Sequence, residues 1–114
     1  MLRRTWFLLL LAGCTSSGPE ADLQYIKQAR SLGAEWATVN QQAAEGKLTQ
    51  AYVASMHQWL RDGLQTSEQS LTHPDSAYGK EIRALLASRD DASPDELTAH
   101  VSELKRQEDK LESA

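Results

Sequence analysis

An all-α fold is predicted for this chain by three observations. After residue 18, apolar residues recur every three or four positions in four successive segments, which is the spacing of a helix face. Residues that start or stop helices stand between those segments: Gly46, Thr49, Pro74 and the run Ser93-Pro94-Asp95-Glu96. No segment sustains the apolar-polar alternation of a half-buried strand. No hairpin-type Asn-Gly or Asp-Gly link joins two apolar runs, because Asp62-Gly63 falls inside a helical pattern. The architecture expected over residues 19–114 is a small helical bundle, a long antiparallel hairpin with two shorter helices packed across it.

The first helix is expected from Pro19 to about Glu45. Proline suits a first helical position, and Glu20 and Asp22 stand where the positive end of the helix dipole favours carboxylates. Leu23, Ile26, Ala29, Gly33, Trp36, Ala37, Val39 and Ala43 gather on one side at 100° per residue. Asn40 falls near the middle of that side, where it either fixes register in the bundle or marks an exposed helix end. Gly46 suits the left-handed position that closes a helix.

Thr49 is placed to cap a second helix running to about Leu71. With Leu48 as origin, Trp59, Tyr52, Gly63, Met56, Leu60, Val53 and Leu64 fall within an arc of roughly 160°, with Arg61, Gln58, Gln65 and Asp62 opposite. That arc is expected to be buried, so Tyr52 and Trp59, with Trp36 from the first helix, are read as core; a binding face is the alternative for the same three residues. Thr72-His73-Pro74-Asp75 breaks the chain, and Tyr78, Ile82, Leu85 and Leu86 stripe a short third helix. Ser93 as cap, Pro94 at the first position and Glu96 three residues on open a fourth, striped by Leu97, Val101, Leu104 and Leu111. Glu108, within that stripe, is read as a sign that the last turns project into water.

Residues 1–13 have a different character. Arg3 and Arg4 precede an apolar run from Thr5 to Leu11, followed by the small pair Ala12-Gly13, the layout of a secretory signal peptide. The run is about half the roughly 20 residues needed to span a bilayer. Leu11-Ala12-Gly13-Cys14 resembles the lipobox of bacterial lipoproteins, and the match covers residues 1–14. The resemblance implies cleavage before Cys14, a diacylglycerol on its thiol and an acyl chain, such as palmitate, on its new amino group. In lipoproteins of this type an aspartate after the cysteine is an inner-membrane retention signal. Thr15 stands there instead, which implies the outer membrane, facing the periplasm. Arg3-Arg4 lacks the preceding hydroxyl residue and the later lysine of a twin-arginine signal, so Sec export is expected.

Residues 14–18 are then a lipidated cysteine and a tether, reaching on the order of 15 Å when extended. Two or three acyl chains anchor durably where one binds reversibly. The single cysteine, once acylated, leaves no thiol for a disulfide, a zinc site or a nucleophile.

The chain carries twelve Lys+Arg against sixteen Asp+Glu in 114 residues, and two of the basic residues lie in the leader. An acidic domain with scattered bases lacks the footprint of a nucleic-acid binder. His57, His73 and His100 have no pair at the three- or four-residue spacing by which one helix supplies two zinc ligands, so no metal is expected. Asp91 to Glu96 resembles the start of a calcium loop, but Glu96 stands where the loop needs glycine and Ser102 where it needs a bidentate carboxylate. No serine sits in a Gly-x-Ser-x-Gly elbow, and no glycine-rich phosphate loop is present. Leu48-Thr49-Gln50 and Leu97-Thr98-Ala99 do not complete the Leu-Thr-x-x-Gln motif of small helical periplasmic responders.

These readings lead to one expectation of function: a non-catalytic, lipid-anchored interaction or structural module of the bacterial envelope. It would need no cofactor beyond the lipid on Cys14, and its partners would be the membrane, through that anchor, and an envelope protein. The alternatives are a periplasmic ligand or envelope-stress sensor with a cavity near Trp36 and Trp59, or an immunity, exclusion or lysis lipoprotein.

Overall fold

The computed structural model describes residues 18–114. The chain opens with a single 3-10 turn, Pro19–Asp22, closed by Ala21 N–H donating to Gly18 O at 2.9 Å. Helix α1 follows over Leu23–Ala44, α2 over Gln50–Gln69, α3 over Ala77–Leu86 and α4 over Pro94–Glu112. All regular structure in the described residues is helical, as the period of the apolar residues requires.

The helix ends follow from local chemistry. Gly46 has φ 72°, the left-handed conformation that costs other residues a clash at Cβ, and Lys47 N–H reaches back to Gln42 O at 3.0 Å. Three hydroxyls then cap three helices: Thr49 accepts from Tyr52 N–H, Ser76 from Gly79 N–H and Ser93 from Glu96 N–H. Ser93 with Pro94 at the first turn accounts for the Asp91–Glu96 run as a helix start. Ser76 was not singled out from the sequence, although its position two residues after Pro74 is a capping signal.

Helix α1 is the axis of the bundle. It packs against both α2 and α4 along its length, whereas α2 and α4 have no direct packing with each other. Both neighbours run antiparallel to it: Asn40 faces His57 and Asp22 faces Thr72 on α2 and the loop after it, while Arg30 faces Glu108 and Lys27 faces Glu112 on α4. Helix α3 bridges α2 and α4. The core is Ile26, Ala29, Leu32 and Trp36 from α1, Leu60 and Leu64 from α2, Tyr78, Ile82 and Leu85 from α3, and Leu97 and Leu104 from α4. Gly33 lets these layers meet, since a Cβ there would stand 2.8 Å from Val101 Cγ2 and 3.0 Å from Leu85 Cδ2.

Two sequence readings are corrected here. Glu108 does not project into water: its side chain is 4% exposed, and it accepts from Arg30 Nε at 2.8 Å with Lys105 Nζ at 3.6 Å. Burial pushes this carboxyl's pKa up, but the Arg30 bond and the surrounding cations outweigh it and hold the group below the usual carboxylate range. The second correction concerns the apolar arc of α2. Leu60, Leu64 and Ser67 are buried, but Trp59 is 56% and Tyr52 49% exposed, so neither is core. The arc is wider than its cover, because α1 and α3 pack against α2 and leave the side that carries Trp59 and Tyr52 open.

Candidate functional site

Cys14 and the lipobox residues Leu11, Ala12 and Gly13 lie outside the described residues. Of the three aromatic candidates, the structure separates Trp36 from the other two. Trp36 has no exposed surface and donates its Nε1–H to Asp90 O at 3.0 Å. Tyr52 and Trp59 share the outer side of α2, seven residues apart, with half-buried Met56 between them.

Trp36 belongs to a polar knot that clamps the α3–α4 loop. Asn40 Nδ2 donates to Asp90 O at 2.9 Å and Ala92 O at 2.8 Å, which leaves its Oδ1 to accept from His57 Nε2 at 2.8 Å. Asn40 is therefore buried and fully used, which settles the two readings open for it in favour of a packing role. Arg61 lies over the Trp36 ring at 4.8 Å and donates to Asp90 Oδ1, Leu86 O and Ser88 O. A wheel of α2 alone puts Arg61 on the solvent side. In the bundle it satisfies carbonyls at the end of α3, where a helix attracts cations. Clefts of about 360 and 440 Å³ open on either side of His57, sharing Ala43 and Val53.

A second buried anchor holds the opposite end. Asp22 has no exposed surface; its Oδ1 accepts from Thr72 N–H and Thr72 Oγ1–H, and its Oδ2 from His73 N–H and Tyr78 OH, at 2.6 to 3.1 Å. Burial raises the pKa of this carboxyl, but those four donors outweigh burial and hold it below its ordinary value. Tyr78, buried and bonded to the carboxylate, is pushed up to about 12 and stays a donor. The residue read from sequence as a dipole partner is thus the tie between the start of α1 and the α2–α3 loop. Among the described residues, every buried side-chain nitrogen and oxygen has a partner.

The histidines do not converge. His57 serves Asn40, His73 lies in the Asp22 loop and His100 Nδ1 meets Glu81 Oε1 at 2.7 Å. Oxygens of Glu108, Asp109 and Glu112 come within 4.8 Å of one another, but Arg30, Lys105 and Lys27 already neutralise them.

A groove of about 640 Å³ opens between α1 and α2. Its walls are Gln28, Ser31, Leu32 and Glu35 from α1 and Trp59, Asp62, Gly63 and Thr66 from α2. Trp36, fully buried, lines none of these three openings, and Trp59 lines the α1–α2 groove. No known family model, curated protein or solved structure is matched by this chain.

Proposed function

We propose that the chain is a lipid-anchored, non-catalytic interaction module of the bacterial envelope whose outer α2 face takes a protein partner. The observation that carries this reading is the exposure of Trp59 and Tyr52 on an otherwise well-packed bundle. Large aromatics in a row on a helix face are the anchors that protein interfaces favour, and burying such a strip against a partner returns the transfer free energy that folding leaves unrealised. The interior groups that could do chemistry are committed to holding loops, as Asn40, Arg61 and Asp22 show.

The anchor supports the same reading from sequence. A short tether after Cys14 keeps the bundle at the membrane surface, where a membrane-bound partner meets it at high effective concentration and weak contact suffices. Thr15, in place of an inner-membrane retention aspartate, favours the outer membrane facing the periplasm. No helix among the described residues is long and apolar enough to cross a membrane, and the attachment proposed is the lipid on Cys14.

The experiment is complementation of a deletion strain. The wild type is expected to restore the lost trait, while Trp59→Ala, accumulating to the same level, and an unlipidated exported domain each fail. Full restoration by both variants would contradict the reading and favour a diffusible binding protein, for which the clefts beside His57 offer the ligand site.

A further inference from the structure

The α1–α2 groove carries a charge pattern that specifies its occupant. Most acids inside the helices are matched: Glu68 with Arg83, Glu81 with His100, Glu103 with Arg106, Glu108 with Arg30 and Asp109 with Lys105. Glu35 and Asp62 are the mid-helix acids that no described Lys, Arg or His pairs. Both line the same groove, one on each wall, together with Trp59 on the α2 wall and no basic residue among the lining. Asp62 is steadied by Gln58 Nε2 at 2.9 Å, a neutral donor that leaves its charge intact.

An exposed indole flanked by two uncompensated carboxylates is complementary to a cation carried on an apolar stem. The ring face attracts the charge through its quadrupole, the carboxylates add Coulomb attraction, and Leu32 and Gly63 in the groove and Met56 on the adjoining strip offer surface to methylenes. An anionic headgroup is repelled by the same pair. We propose that this groove, with the Tyr52–Met56–Trp59 strip beside it, docks a basic, apolar-flanked segment of a partner protein, an arginine or lysine side chain seated over Trp59 between Glu35 and Asp62. The proposal rests on the interaction-module reading and adds the chemistry of the partner to it.

The test uses the full chain labelled with 5-fluorotryptophan in a non-ionic detergent, the Trp59 fluorine signal being assigned with Trp59→Leu. The probes are three ten-residue peptides of leucine alternating with arginine, glutamine or glutamate. The arginine peptide is expected to move the Trp59 signal, and not that of buried Trp36, at the lowest concentration, with the glutamate peptide weakest. The double variant Glu35→Gln/Asp62→Asn is expected to weaken the arginine peptide about fivefold while leaving the glutamine peptide unchanged, and salt to weaken only the former.

Equal response to the arginine and glutamine peptides would overturn the proposal, as would a Trp59 shift with protein concentration alone, which means self-association. A stronger response to phosphatidylglycerol vesicles than to the arginine peptide would overturn it in favour of a membrane. These outcomes leave the complementation experiment untouched, so the partner chemistry can fail while the interaction module stands.

Discussion

Replacing Asp22 with asparagine isolates what one buried carboxylate does for this fold. The native group offers two oxygens to four donors, with Tyr78 OH at 2.6 Å and Thr72 N–H at 2.8 Å the shortest. Asparagine keeps one oxygen. If that oxygen stays on Thr72, the amide NH₂ faces His73 N–H, which cannot turn to accept, and Tyr78 OH, which can. One bond is lost and those remaining become neutral. With bonds to a charged group at about 1.5 to 3 kcal/mol and neutral ones at about 1, the variant is destabilised by at least about 3 kcal/mol. For a domain of this size each kcal/mol moves Tm by about 4 to 8 °C, so the expected fall is at least about 12 °C.

The pH dependence provides an independent check on the same group. The folded pKa of Asp22 lies below its unfolded value, so its contribution is complete above the ordinary carboxylate range and is lost as pH falls through the folded pKa. Urea unfolding of residues 15–114, followed by far-UV circular dichroism between pH 3 and 7, should show a shallower acid-side decline for Asp22→Asn than for the wild type. A variant within about 1 kcal/mol of wild type at pH 7, or with an unchanged acid slope, would refute the reasoning.

Three further outcomes are expected. Trp36→Ala should cost about 3 to 5 kcal/mol and Trp59→Ala below about 1 kcal/mol in the same unfolding assay, because only the first ring is core. Arg30→Met should cost about 2 kcal/mol by leaving the buried Glu108 carboxylate without its closest cation, and adding Glu108→Met should recover most of it; a double variant no better than the single one would count against this. Cys14→Ser should abolish lipid labelling and leave the precursor uncleaved or mislocalised, and an acyl-free wild type in the membrane fraction would disprove the lipobox reading.

Local chemistry was legible in the sequence. Gly46, Thr49 and Ser93 act as their residue types dictate, and the four apolar stripes became four helices. What was not legible depended on partners far along the chain. Glu108 looked solvated because Arg30 stands 78 residues away, and Asp22 looked like a dipole partner because its donors lie 50 to 56 residues on. A wheel likewise measures how wide an apolar arc is but not how many neighbours cover it. Trp59 and Tyr52 therefore read as core, whereas in the bundle their side of α2 is left uncovered. That same excess width was legible all along, and the proposed binding face rests on it.

The most direct test of that face is a photo-crosslinker scan of α2 in intact cells. A photoreactive residue is placed in turn at Tyr52 and Trp59 on the strip, and at exposed Gln58 and Gln65 on another side of the same helix. The account predicts one and the same envelope protein captured from positions 52 and 59, little or none from 58 and 65, and loss of the product when Cys14 is replaced. Capture that is equal at all four positions, or confined to 58 and 65, would contradict it.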